Sequence, residues 1–485
     1  MLERVSFIND FVDEIREEKA AIFAGAGLSI PTGNLNWKDL LREDAKAIGI
    51  NVDLEHDLLA VAQYIYNESG TRNKITKLVK KYINRNGTLT RNHELLALLP
   101  IGTFWTTNYD GYIEESFKRI NKTLDIKKNV MDLSTEVNFP NATLYKMHGD
   151  IEIASEVVLI KDDYEIYDKK NELFTVALKR DLVDKTFLFI GFSFDDPNLS
   201  NILSRVRMML EGHHRQHYCI FKKVNKSDFK NLGSKREIDE RFAYEKNKQR
   251  LRINDLKRYG IKAIFVNSYE EITEILEEIN FKVKKYNVFI SSSFEGEIFE
   301  EFEMGDNITA DKFILDLVNQ LHKRGFKITS GYGKGAGSIV INGVLNAIEQ
   351  TNKSLDESLA LYPFPRNEID VDKETIIHEK YRNKFLGSCG VSIFLLGNNY
   401  DDKAKKLINT EGVRSEFELS YQKGIKVIPI IQTGYMAKEL GEELEKNFEK
   451  YYGDKKDLLK DFQELNNYKS SEEIISKIIE IIDKL

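Results

Sequence analysis

The sequence predicts an α/β protein of two Rossmann-like domains, each a mostly parallel sheet with helices on both faces. Three observations carry that expectation. A chain of 485 residues exceeds what one ordinary hydrophobic core fills, so two domains or three are expected. Short apolar runs alternate with amphipathic stretches throughout, the grammar of parallel strands joined by crossover helices. That alternation closes on a helical run, "SYEEITEILEEINFKVKKY", and starts afresh at "YNVFISSSF", which places a boundary near Lys284. The expected units are residues 1–284 and 285–485.

In the first unit the strand-like runs are "AAIFAG", "GTFWTTN", "ATLYKMHG", "KTFLFIGFS", "HYCIFKK" and "IKAIFVN", with helical spacing at Asp57–Tyr66 and Asn92–Leu99. Ala20–Ala24 reads as a short buried strand ending in Gly25-Ala26-Gly27. Two glycines there let the chain turn sharply with nothing projecting from it. A ligand could then lie on the peptide N–H groups, and a following helix would aim its positive end at negative charge. A glycine turn that binds nothing uses the same residues. In the second unit come a helix at about Ala310–Arg324, "FKITSGYGKGAGS", a helix from about Ile339, "SLALYPFP", "VSIFLLGN" and "IKVIPII". Phe294–Thr309 and Tyr400–Thr410 are weakly patterned and read as loops.

Composition narrows the function classes. Hydrophobic residues at 41% and charged residues at 31% describe a soluble globular protein. No run approaches the roughly 20 apolar residues needed to cross a bilayer, and the acidic, helically spaced N-terminal stretch does not resemble a secretion signal. Two cysteines, Cys219 and Cys389, exclude a disulfide framework and a four-cysteine zinc site, so a reducing cytoplasm is expected. A formal charge of −7 argues against general nucleic-acid binding. The basic segment Lys222–Lys262 interleaves its bases with acids at helical spacing and reads as a solvated helix face. "HHRQH" offers His213, His214 and His217 as metal ligands, but it lies apart from the polar strand ends, and no metal is expected.

Four strand ends of the first unit carry polar residues: Gly25-Ala-Gly-Leu-Ser29, Thr106-Thr-Asn-Tyr-Asp110, Lys146-Met-His-Gly-Asp150 and Gly191-Phe-Ser193, the last followed by Asp195, Asp196 and Pro197. Ligands of open parallel sheets bind at the carboxyl ends of the strands, so the four segments should converge on one crevice. Singly, each has a structural explanation. Asn108 and Asp110 can cap a helix, His148 can sit in a turn, and "DDPN" is turn chemistry.

In this order and spacing, "GAGLS", "TTNYD", "MHGD" and "GFS" resemble the NAD-binding core of the sirtuin family over roughly residues 15–275. The resemblance implies that Gly25, Ala26, Gly27 and Ser29 cradle the NAD diphosphate. It implies Asn108 and Asp110 beside the nicotinamide ribose, Thr107 as a further NAD-binding residue, His148 as acid/base residue at the ribose hydroxyls, and Gly191 and Ser193 on the adenosine side. NAD enters as substrate, not as a resident cofactor. Sirtuin deacylases also carry a four-cysteine zinc ribbon that shapes an acyl-lysine groove, which two cysteines cannot build. The reaction left is cleavage of the nicotinamide–ribose bond by water. The amide oxygen of Asn108 supplies a dipole and a water anchor, and His148 suits proton traffic near neutral pH. A protein deacylase or ADP-ribosyltransferase, or an NAD sensor without turnover, are the alternatives.

The second unit offers another glycine-rich turn between strand and helix, Ser330 to Ser338, with serines 291–293, Asn398 and Asn399 at other strand ends. Arg382 and Glu416 are isolated charges among apolar neighbours, suited to phosphate and ribose hydroxyls or to surface ion pairs. This half resembles a SLOG nucleotide-sensing domain. It lacks the Pro-Gly-Gly-x-Gly-Thr signature and following glutamate of the enzyme branch, which favours sensing. The two halves in this order resemble the Thoeris antiphage effectors. That resemblance implies a tetramer whose first domain depletes NAD when the second binds a cyclic ADP-ribose isomer made by a TIR-domain partner. Ser291, Ser292, Gly331, Gly333, Gly335, Arg382, Asn399 and Glu416 are then the activator-binding residues, with Asn399 where a lysine can occur in the family.

Overall fold

The computed structural model describes residues 2–33, 37–82, 87–231, 233–295, 305, 308–351, 353–364, 371–403 and 405–485. Most of the stretch between Phe294 and Thr309 therefore lies outside the described residues. The chain forms two compact units, Met1–Asn280 and Phe281–Leu485.

The first unit holds seven strands: β1 (Ala20–Ala24), β2 (Thr103–Thr106), β3 (Leu124–Lys127), β4 (Ala142–Lys146), β5 (Thr186–Ile190), β6 (His217–Lys222) and β7 (Ile261–Val266). They pair in parallel in the order β3-β4-β2-β1-β5-β6-β7. Every residue of β1 and β5 is buried, as expected of central parallel strands covered on both faces. The helix Leu2–Arg16 seats Phe7 and Phe11 against Tyr218 of β6. The helix Glu172–Asp184 sends Phe174, Leu178 and Leu182 into a cluster with Phe23, Trp105, Phe187 and Phe189. The order reverses between β1 and β5, which opens a crevice beyond their carboxyl ends.

Strand β3 was not expected, because "LDIK" has no apolar run. Its polar side chains are buried as a pair instead, Asp125 with Lys127 at 2.9 Å. The basic segment forms the helix Lys235–Leu256, in which Leu256 is the buried residue and Arg236–Glu240 and Arg241–Glu245 pair along the surface.

The second unit holds β8 (Asn287–Ser293), β9 (Lys327–Ser330), β10 (Leu359–Leu361), β11 (Val391–Leu396), β12 (Asn398–Asp401), β13 (Lys406–Asn409) and β14 (Lys426–Pro429). Five of them make a parallel sheet, β10-β9-β8-β11-β14. Its core includes Ile474, Ile478, Ile481 and Ile482 of the helix Ser471–Lys484. The stretch read as a loop, Tyr400–Thr410, is largely an antiparallel hairpin of β12 with β13. Its strands are short and mostly exposed, so no hydrophobic alternation marks them. The helix expected from about Ile339 starts at Ala336, directly after Gly335 at φ +79°.

Candidate active site

The four polar strand ends meet at the crevice of the first sheet. Asn108, buried, uses its amide nitrogen twice, donating to the carbonyl of Gly25 at 3.1 Å and to Ser29 Oγ at 3.2 Å. That leaves the amide oxygen Oδ1 outside both bonds. The backbone under it is pinned, since Asn108 N–H donates to Thr106 Oγ1, which itself donates to the carbonyl of Ala24. Ser29 also bonds the Asp110 carboxylate, so Asn108, Ser29 and Asp110 form one buried polar chain. Burial pushes the Asp110 carboxyl up, against the pull of the Lys146 charge and the Ser29 hydroxyl.

Lys146 anchors this chain from below. Its buried ammonium donates to the Asp110 carbonyl at 2.5 Å and pairs with Asp150 at 2.5 Å and Glu114 at 2.8 Å. Burial alone would lower its pKa, but the two carboxylates outweigh that and hold it above the usual lysine range.

The glycine turn differs from the sequence expectation in two ways. No α-helix follows it. Two 3-10 turns, Ala26–Leu28 and Ile30–Thr32, come first, because Pro31 and Gly33 at φ +97° break the chain, and the helix begins at Trp37. Nor are most of its N–H groups turned to the crevice. Those of Gly25 and Gly27 donate to the carbonyls of Ile190 and Gly191, and those of Leu28 and Ser29 to Gly25 and Ala26; the Ala26 N–H lies outside these bonds. The glycines answer to backbone packing. A Cβ on Gly27 would stand 2.9 Å from Gly191 Cα, and one on Gly191 would stand 2.3 Å from the Leu28 nitrogen. Gly25–Ser29, Asn108, Asp110 and Gly191 are thus brought together, Thr107 is half-buried beside them, and Ser193 is exposed.

His148 follows β4 and is almost fully enclosed. Its Nε2 lies 3.3 Å from Asp196 Oδ2, off line for a hydrogen bond. The rings of Tyr164 and Tyr167 stand edge-on to the imidazole at 5.5 and 6.2 Å. Burial lowers its pKa, with Asp196 and then Asp163 opposing. Strands β4 and β5 are separated by β2 and β1, so His148 and Asp196 meet across the crevice mouth. Asp196 and Tyr164 are site residues that sequence reasoning missed; "DDPN", read as turn chemistry, holds Asp196, and no signal singled out Tyr164.

A cavity of about 380 Å³ opens beside these residues, its walls including Lys128, Lys146, Gly149, Asp150 and Asp163 rather than Asn108 or Gly25. The histidine cluster lies elsewhere. His217 begins β6, its buried Nδ1 accepts from the Phe187 N–H at 3.1 Å, and burial lowers its pKa to about 3. Among the described residues no group of three His, Cys, Asp or Glu side chains could hold a metal ion, and no helix is long and apolar enough to cross a membrane.

In the second unit a cavity of about 140 Å³ is lined by Ser291, Ser292, Gly331, Gly333, Arg382 and Glu416, with Phe364 and Thr410. Ser291 donates to Glu416 at 2.6 Å, and Arg382 Nε lies 3.5 Å from the other carboxylate oxygen while its guanidinium stacks on Phe364. Burial raises the Glu416 carboxyl, more than Ser291 and Arg382 lower it. Among the described residues Ser292 Oγ is buried without a hydrogen-bond partner, and Arg382 Nε has its ion pair with Glu416 alone. Two expected residues are not in this wall. Gly335 turns against the Phe294 carbonyl, and Asn399 sits in the exposed hairpin opposite Ile408. Gly333 is there for packing, since a Cβ would stand 2.0 Å from the Ser292 carbonyl oxygen.

A doubly wound sheet with a buried asparagine and histidine at its crevice, followed by a second Rossmann-like unit with a small polar cleft, defines a sirtuin-like domain followed by a SLOG-like one. Family models agree: residues 102–247 match the SIR2-like domain and 271–485 the Sir2- and TIR-associating SLOG family. Relatives named NAD(+) hydrolase ThsA align along nearly the whole chain. That of Cytobacillus dafuensis is 43% identical over 99% of this chain and 96% of its own length. That of Bacillus cereus is 44% identical over 99% and 98%, and that of Acinetobacter baumannii 38% identical over 99% and 98%. The chain belongs to the ThsA family of NAD(+) hydrolases.

Proposed function

We propose that the first unit hydrolyses NAD at the nicotinamide–ribose bond and that the second switches this activity on by binding a cyclic ADP-ribose isomer. The observation that carries the reading is Asn108, whose amide nitrogen is held by Gly25 and Ser29 so that its oxygen is the end offered to a substrate. The bond breaks toward an oxocarbenium-like ribose, and nicotinamide leaves as a neutral base with the bonding electron pair. A dipole already pointing at the developing positive charge needs no reorganisation in that step. Asn108 Oδ1 supplies the dipole and orients the water that attacks the same carbon. His148 is neutral at working pH because burial lowers its pKa, so it can accept the proton that the water gives up. The products are ADP-ribose, nicotinamide and one proton. Gly25, Ala26, Gly27, Ser29, Thr107, Asp110, Gly191 and Ser193 hold the rest of the NAD. No metal and no resident cofactor takes part.

In the second unit Arg382 takes a phosphate, while Glu416, Ser291 and Ser292 meet ribose hydroxyls. Ser292 Oγ has no hydrogen-bond partner among the described residues, and Arg382 Nε meets the Glu416 carboxylate at 3.5 Å, so both can turn to a ligand oxygen. A ligand that binds this cleft more tightly in the active state than in the inactive one shifts the balance between them by that difference in affinity. The isomer comes from a TIR-domain partner protein, the assembly is a tetramer, and the outcome is depletion of cytoplasmic NAD during phage infection.

The deciding experiment incubates purified protein with NAD, with and without cyclic ADP-ribose isomers, and identifies the products. Free ADP-ribose with nicotinamide, raised by one isomer, supports the proposal. An acyl-ADP-ribose or a modified protein points to the deacylase or transferase reading, and NAD binding without turnover points to a sensor.

A further inference from the structure

Asp196 does two things at once. Its Oδ1 caps the helix Pro197–Met209 by accepting from the Leu199 N–H at 2.8 Å. A cap alone would leave the other oxygen without purpose, yet Oδ2 accepts from the Tyr164 hydroxyl at 3.2 Å and faces His148 Nε2 at 3.3 Å. Serine or asparagine would cap this helix as well as aspartate does. What only the carboxylate brings is a charge aimed at the ring, in a pocket closed by Tyr164 and Tyr167.

The other groups around the imidazole do not supply it. Asp163 is held by both its oxygens to Arg72, at 2.8 and 2.9 Å, and accepts from the Leu159 and Ile160 N–H groups. The Tyr164 and Tyr167 hydroxyls are pushed above their ordinary range by burial first and by Asp196 next, so both stay protonated and neutral. Among the described residues, His148 is the one basic group within ion-pair distance of Asp196.

We propose that Asp196, braced by Tyr164, is the positioning residue of the hydrolase site: it holds the proton of His148 on Nε2 and leaves the Nδ1 lone pair to accept a proton from the reacting water. The assignment rests on the reading of His148 as the proton acceptor. A buried imidazole facing a carboxylate through one nitrogen has its tautomer and orientation set by that carboxylate. The contact is 3.3 Å and off line for a hydrogen bond, and catalytic contacts of this kind tighten in the substrate complex.

The test follows NAD cleavage by the full chain between about pH 5 and 8 for wild type, Asp196→Asn, Tyr164→Phe and His148→Ala. Asparagine keeps the cap, so Asp196→Asn should fold. It should lower kcat by about 10²-fold with little change in KM. Because the lost charge had been raising the His148 pKa, the acid limb of the profile should also move to lower pH, a shift that a merely structural role would not cause. Tyr164→Phe leaves the charge in place, so kcat should fall by about tenfold without that shift. An unmoved limb and a loss below about threefold in Asp196→Asn, with His148→Ala inactive, overturn the inference and spare the role of His148. His148→Ala at wild-type rate overturns both. Should Asp196→Asn fail to fold, Tyr164→Phe decides alone, and an unchanged kcat there overturns the inference.

Discussion

Replacing Gly191 by alanine tests whether the two glycine turns hold the crevice by backbone contact. The new Cβ would stand 2.3 Å from the Leu28 nitrogen, 2.8 Å from the Gly27 carbonyl carbon and 3.1 Å from the Gly25 oxygen. Carbon contacts settle at about 3.5–4.0 Å, so the shortfall exceeds ~1 Å against atoms that cannot rotate away. Gly191 also sits at φ +64°, where a side chain costs about 1–2 kcal/mol. Adding about 1–3 kcal/mol for overpacking gives a loss of about 2–5 kcal/mol. Gly70 is the matched control, at φ +60° with nothing within 4 Å, so Gly70→Ala should lose the conformational part alone. Both tryptophans, Trp37 and Trp105, lie in the first unit, so tryptophan fluorescence during denaturant unfolding reports that unit. The Gly191 variant should unfold at lower denaturant than the Gly70 variant, and a loop displaced by ~1 Å should reduce NAD hydrolysis by about 10²-fold. Equal stability losses in the two variants, with wild-type hydrolysis by Gly191→Ala, would refute the packing account.

Asn108→Ala removes the dipole but not the strand, and should slow NAD hydrolysis by about 10²–10³-fold while activator binding, measured by calorimetry, is retained. Arg382→Ala should show the reverse: activator affinity falls by about 1.5–3 kcal/mol, and NAD titrates the first unit as in wild type. Glu416 is raised above the ordinary glutamate value of 4.5 by burial. Its contribution is therefore fully present below that value and is lost as pH rises through the raised pKa. Glu416→Gln should flatten this dependence in scanning calorimetry of the full chain and raise stability near neutral pH, at the expense of activator affinity. A variant whose melting still tracks pH as wild type does would count against the burial argument.

Much of the fold was legible because central parallel strands are buried on both faces. Such strands must be apolar at successive positions, and "AAIFA" and "TFLFI" announce themselves in one line of text. The polar strand ends were legible too, since residues such as Asn108 and His148 at the ends of apolar runs have few structural uses together. Strand β3 and the β12–β13 hairpin carried no such signal. Asp125 is buried by an ion pair and the hairpin is exposed, so neither depends on a hydrophobic period.

What the tertiary structure decided are the contacts between segments far apart in the chain. Asn108 reaches Ser29 across 79 positions only because β1 and β2 are neighbours in the sheet. His148 meets Asp196 only because the loops after β4 and β5 lean toward each other over the ends of the two strands between them. The same turn residues, Gly25 and Gly27, serve ligand approach in the sequence and backbone packing in the fold, since what lies opposite a missing Cβ is another segment. Periodicity records which side of a strand is buried. Strand order decides what it is buried against, and with it which histidine nitrogen faces a carboxylate.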